Sequence, residues 1–123
     1  VMLTPMLAGG VECIIGSNYD TTFGPTIMFG LGGIFVEVLK DVAFRVAPIN
    51  APEANRMLHE IKGYPLLEGV RGQKGVDISA LADAVIRTSY MAAELSDVAE
   101  IDLNPVFATE DGLDIVDARI VLH

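Results

Sequence analysis

The stretch FGPTIMFGLGGIFVEVLKD, residues 23–41, does most to limit the fold. β-branched and apolar residues on both sides favour extended chain. Gly30, Gly32 and Gly33 between them call for a tight bend, or for a loop whose backbone approaches another group closely. The spacing fails the dinucleotide fingerprint, because Phe35 stands where a third glycine belongs, and no Gly-Lys-Ser/Thr is present to make a P-loop. Two readings remain. One is an ordinary hairpin bend; the other is a run that turns successive N–H groups toward an anion.

The surrounding sequence supplies the rest of a sheet. Residues 11–18, VECIIGSN, read as a strand, and YDTTFGP after them is turn material. Residues 26–30, 34–39 and 42–49 read as three further strands, the last ended by Pro48. Asn50 then caps a helix, with Glu53 completing a capping-box pattern and Ala54, Met57, Leu58 and Ile61 on one inward face. Gly63 and Pro65 are expected to end it. A glycine-rich loop over residues 66–77 leads to a second helix, from about Asp77 to Leu95, with Ile78, Leu81, Ala82, Val85 and Ile86 on one stripe. Residues 100–122 read as two strands around a turn at Glu110, Asp111 and Gly112. The expected fold is α+β: a mainly antiparallel sheet with two helices packed on one face, in a single domain of 123 residues.

Seventeen acidic residues against eight basic ones give a net charge of -9. Such a balance argues against nucleic acid, whose binding rests on clustered Lys and Arg. No apolar run reaches the ~20 residues that span a bilayer, and no secretory leader pattern is present. The single cysteine, Cys13, excludes an internal disulfide and fits a reducing, cytoplasmic setting; VECII around it makes it a strand hydrophobe. Half of the chain is hydrophobic, at 51%. That excess implies an interface with a copy of itself, as a homo-oligomer, or with a neighbouring domain. The opening on Val1, directly into structured-looking sequence, suggests a piece excised from a longer chain.

The closing hairpin carries the most specific chemistry. If its turn is symmetric about the Glu110–Asp111 bond, Asn104 lies opposite Asp117 and Asp102 opposite Arg119. Alternation then puts these four on one face, and Ile101, Leu103, Phe107, Val116 and Ile120 on the other, core-facing side. A one-residue slip would scatter the polar group. An amide oxygen beside a carboxylate suits magnesium, which takes one or two carboxylates from a protein and leaves its other positions to water and phosphate. Pro105 restricts the backbone of Asn104. The alternative is a polar hairpin end with an Asp–Arg surface pair.

Several blocks together resemble a known family. GVECIIG (10–16), FGPTIMFGLGGIFVEVLKDVAFRVAP (23–48), YPLLEGVRG (64–72), EIDLNPV (100–106) and DGLDIVDARI (111–120) closely resemble the ATP-grasp domain of the NDP-forming acyl-CoA synthetases. These include the ADP-forming acetyl-CoA synthetases and are related to succinyl-CoA synthetase. The likeness implies the C-terminal lobe of that domain, with ATP and Mg2+ held against it. It implies Asn104 and Asp117 as metal ligands; Asp102 beside them is expected to act indirectly or through water. The implied reaction makes acyl-CoA from acid, CoA and ATP through a phosphohistidine and an acyl phosphate. The N-terminal ATP-grasp lobe and the CoA-binding and ligase domains of such an enzyme are missing from this sequence. His59 and His123 do not replace the phosphohistidine, so the isolated chain is expected not to turn over.

Within that resemblance Gly30, Gly32 and Gly33 belong to the nucleotide-facing side. Glu12 and Glu37, each in an apolar strand, face either the ligand cleft or solvent. Arg45 and Arg71 are the cations suited to phosphate, since a guanidinium binds it in bidentate fashion; a structural salt bridge is the alternative for each. Two further readings stand beside the ligase. One is a synthetase-like regulatory module of a protein lysine acetyltransferase; the other is an interaction domain with no nucleotide role.

Overall fold

Two antiparallel strands start the described chain, β1 (Val11–Asp20) and β2 (Gly24–Leu31). The turn between them is set by Asp20, whose carboxylate accepts the N–H groups of Thr22 at 2.7 Å and Phe23 at 3.0 Å. The computed structural model describes residues 10–32, 38–69 and 75–123. β3 (Val42–Val46) follows, then helices α1 (Ala51–Glu60), α2 (Tyr64–Glu68) and α3 (Ile78–Glu94). The chain closes with β4 (Val98–Thr109), β5 (Gly112–Ile115) and β6 (Ala118–Leu122). All the described pairings are antiparallel, in the order β3-β2-β1-β4-β5, with β6 also paired to β4.

The helices cover one face of this sheet. Cys13 and Ile15 of β1, Ile27, Phe29 and Leu31 of β2, and Ala43 of β3 pack there with Met57 and Leu58 of α1 and Leu81 and Val85 of α3. Alternation sends the intervening residues outward, which leaves Phe44 and Val46 58% and 52% exposed on the uncovered face. The sequence explains the helix starts. Asn50 accepts the Glu53 N–H at 3.0 Å, and Asp77 accepts the Ala80 N–H at 3.0 Å.

Four expectations need correction or limits. Three helices are described rather than two: Pro65 sits in the first turn of α2 and starts a helix instead of ending one. The side chain of Glu53 does not complete a capping box, because it is drawn to Arg45 and Arg56. Most of the strand expected over residues 34–39 lies outside the described residues, and Val38 and Leu39 sit in a turn. Phe107, Val116 and Ile120 are not core residues. Between Ile15↔Leu103 and Cys13↔Val106, β4 advances by one residue more than β1. This bulge at Asn104–Pro105 flips the alternation, so Val106 and Ala108 fill the core while Phe107 lies opposite Glu12. Val116 and Ile120 are 60% and 48% exposed, beyond the helical cover.

Candidate functional site on the uncovered sheet face

The hairpin register follows the symmetric turn. Thr109 pairs with Gly112 and Val106 with Ile115, and farther along Asp102 pairs with Arg119. Between these stretches, Asn104 N–H donates to the Asp117 carbonyl at 3.1 Å, and Val116 N–H donates to the Pro105 carbonyl at 3.1 Å. Gly112, with φ 141, supplies the backbone conformation the turn requires. Asn104 and Asp117 are thus backbone neighbours across the hairpin. Both are exposed, at the point where β4 bulges and the second arm of the hairpin breaks between β5 and β6.

Asp102, two residues before Asn104, alternates to the uncovered face opposite Gly16. It lines an open recess of about 240 Å³ together with Gly16, Met28, Phe44, Glu100 and Arg119. Among the described residues no group of three or more His, Cys, Asp and Glu is arranged to hold a metal. The donor set is therefore small and made of oxygen: one amide, one carboxylate, and a second carboxylate nearby. That composition fits magnesium better than zinc, which favours nitrogen and sulfur ligands in a closed shell.

Glu12 and Gly32 are brought into contact. Gly32 N–H donates to the Glu12 carbonyl at 2.8 Å. A Cβ at Gly32 would stand 2.7 Å from Glu12 Cγ and Oε2, so the Glu12 side chain lies across the place a side chain would fill. Gly32 is a glycine because of close approach. Gly30 is buried within β2, between Ile14 of β1 and Val42 of β3. Gly33, Glu37 and Arg71 lie outside the described residues.

Arg45 is placed elsewhere. It pairs with Ile27, so its side chain emerges on the helix-covered face. There it forms ion pairs with Glu53 and Glu60 of α1, the latter through both terminal nitrogens, and also donates to the Phe44 carbonyl at 2.7 Å. The Glu60 hydrogen bonds, then those of Glu53, raise the Arg45 pKa above its ordinary value. Arg56 and then Arg45 hold the Glu53 carboxylate below its usual range, and Arg45 does the same to Glu60. Of the two roles weighed for Arg45, these contacts support the salt bridge: it ties β3 to α1 and is already saturated with carboxylate. Burial pushes the Cys13 thiol up to about 12, in keeping with a strand hydrophobe.

Arg119 was considered only as the surface partner of Asp102. It stands across from Asp102. Yet among the described residues no ion pair joins it to any carboxylate, whereas Arg45, Arg56 and Arg87 all have one. The signal that could have marked it was available: a lone cation within a hairpin rich in Asp and Glu.

An antiparallel sheet covered by helices on one side is the architecture of an ATP-grasp lobe. A family model described as an ATP-grasp domain matches residues 1–122, and the chain belongs to that family. It is 54% identical over 122 residues to the beta subunit of acetate–CoA ligase (ADP-forming) I of Pyrococcus furiosus, covering 99% of this chain and 53% of that subunit. It is 50% identical over 122 residues to acetate–CoA ligase (ADP-forming) I of Archaeoglobus fulgidus, covering 99% of this chain and 18% of that protein. A solved structure of Ca. Korarchaeum cryptofilum dinucleotide forming acetyl-coenzyme A synthetase 1, in complex with coenzyme A and Mg-AMPPCP, has its phosphohistidine segment pointing towards the nucleotide binding site. It matches with a TM-score of 0.90 at 51% identity, over 99% of this chain and 55% of that one. The chain spans about half the length of the beta subunit it matches. Among the described residues, no helix is long and apolar enough to cross a membrane.

Proposed function

We propose that this chain is the C-terminal lobe of the ATP-grasp domain of an ADP-forming acid–CoA ligase, and that it holds Mg-ATP against the uncovered face of its sheet. The observation that carries the reading is the cross-strand pairing of Asn104 with Asp117 at an exposed bulge. Asn104 and Asp117 would hold the ion directly, and Asp102 through water. When bound, Mg2+ would supply charge neutralisation of the nucleotide phosphates. The residues of the lobe then have separable tasks. The bulge presents the amide of Asn104 outward, and the Asn104–Asp117 backbone bond fixes its spacing from the carboxylate. Glu12, packed on Gly32, shapes the neighbouring stretch of β1 and β2, and Gly33 is proposed as a point where backbone comes close to phosphate. Arg71 is proposed as a phosphate contact.

The whole reaction, acid, CoA and ATP to acyl-CoA, ADP and phosphate through a phosphohistidine, needs the N-terminal ATP-grasp lobe and the CoA-binding and ligase domains. These are the partners the reading requires, in a cytoplasmic enzyme. Among the described residues, nothing on the sheet face favours the acetyltransferase-linked module. Calorimetry on the full-length ligase carrying this lobe tests the reading. Asp117→Ala should weaken Mg-AMPPCP binding by about 10- to 100-fold, as expected for loss of a charged ligand contact. Affinity equal to wild type, at magnesium near the dissociation constant, would refute the metal assignment.

A further inference from the structure

Resting on the function proposed above, the uncovered face has a charge problem. A polyphosphate carries more negative charge than one divalent cation cancels, and this face adds Glu12, Glu100, Asp102 and Asp117 to it. A cation on this face would offset that charge. Arg45, Arg56 and Arg87 are committed to Glu53 and Glu60, to Glu53, and to Asp83 respectively. Arg119 is different on each count that matters. It pairs with Asp102 on the uncovered face, lines the recess there, is exposed, and has no ion pair among the described residues. Asp117, two positions earlier, lies across from Asn104 as Arg119 lies across from Asp102, roughly 7 Å apart along the hairpin arm. A guanidinium spans that gap easily, and its forked donors match phosphate oxygens as an ammonium does not.

We propose that Arg119 is a phosphate-binding cation of this lobe, gripping a phosphoryl oxyanion presented beside the ion that Asn104 and Asp117 would hold. The oxyanion has two sources with the same chemistry: the terminal phosphate of the nucleotide, or the phosphorylated histidine of a partner domain. Arg119 acts on whichever of them occupies the recess edge. Its exposure means that replacing it leaves the core intact, so the effect is read on binding and transfer rather than on folding.

The experiment uses the full-length ligase carrying this lobe, with Arg119→Gln and Arg119→Lys. Three quantities are measured: the Kd of Mg-AMPPCP, the Kd of Mg-ADP, and the rate at which phosphorylated enzyme returns its phosphoryl group to ADP. Arg119→Gln should change one of them by about 10- to 100-fold, the range for a lost hydrogen bond to a charged group. Weaker Mg-AMPPCP binding with Mg-ADP unchanged assigns the nucleotide phosphate. Unchanged nucleotide binding with a slowed return assigns the phosphohistidine. In either case Arg119→Lys should recover part of the loss, because it keeps the charge without the fork. If Arg119→Gln stays within twofold of wild type in all three, the proposal is overturned. A wild-type enzyme that binds no Mg-AMPPCP overturns the nucleotide reading and this proposal together. If Asp117→Ala binds normally while Arg119→Gln does not, only the metal assignment fails.

Discussion

Gly32→Ala tests the contact that joins two of the candidate residues. The added Cβ would stand 2.7 Å from Glu12 Cγ and Oε2 and 2.9 Å from Cδ, where ordinary contact begins near 3.4 Å. Moving the carboxylate end alone does not relieve the clash, since Cγ is also too close, so the whole Glu12 side chain must leave its rotamer. Overpacking of this kind costs about 1–3 kcal/mol. The φ of Gly32 lies outside the left-handed region, so no backbone strain is added. Alanine also reduces the entropy of the unfolded chain, which offsets about 0.4–1 kcal/mol of the loss. The net expectation is destabilisation by about 1–2 kcal/mol. With a urea m-value of about 2 kcal/mol/M, the unfolding midpoint should fall by about 0.5–1 M. In a Glu12→Ala background the obstruction is gone, and Gly32→Ala should become neutral or stabilising by about 0.4–1 kcal/mol. Urea titrations of the four chains, followed by circular dichroism, give the cycle directly. The same loss in both backgrounds would show that Glu12 is not what keeps residue 32 a glycine.

Two more predictions concern parts of the fold outside the site. Arg56 and then Arg45 lower the pKa of Glu53, and Arg45 lowers that of Glu60, so the contribution of these carboxylates to stability is complete above the ordinary glutamate range of about pH 4.3 and is lost as pH falls through the lowered folded values. Arg45→Met should therefore destabilise the chain at pH 7, and urea midpoints should show the gap from wild type narrowing toward pH 3; a gap independent of pH would contradict this. Cys13 should resist alkylation at pH 8 until the chain unfolds, because burial raises its thiol to about 12; rapid labelling of the native chain, read by mass spectrometry, would place the thiol at the surface instead.

The sequence was most informative where a single turn or cap decides the outcome. Asn50 and Asp77 start helices because a short oxygen-bearing side chain can satisfy a first-turn N–H whatever lies around it. Gly112 fixes the hairpin, and the register to Asp102↔Arg119 follows by counting. What was not legible depends on distant partners. The bulge at Asn104–Pro105 exists only relative to β1, nearly ninety residues earlier, and it moved Phe107 out of the core and Val106 into it. The choice between phosphate and salt bridge for Arg45 was not legible because Glu53 and Glu60 reach it only once α1 has packed under β3. Pro65 was ambiguous for a local reason: proline both stops a helix and suits the first turn of the next. The pairing of Asn104 with Asp117 was accessible to counting, whereas the availability of Arg119 needed the ion pairs of every other described arginine to be known.

The claim at the centre of this account is that two oxygens on adjoining hairpin arms share one cation. A crystal structure of the full-length ligase with Mg-AMPPCP measures it. The account predicts an ion about 2.1 Å from the side-chain oxygens of both Asn104 and Asp117, with phosphate and water completing its shell. An ion coordinated elsewhere, with those two side chains in contact only with solvent, would contradict it.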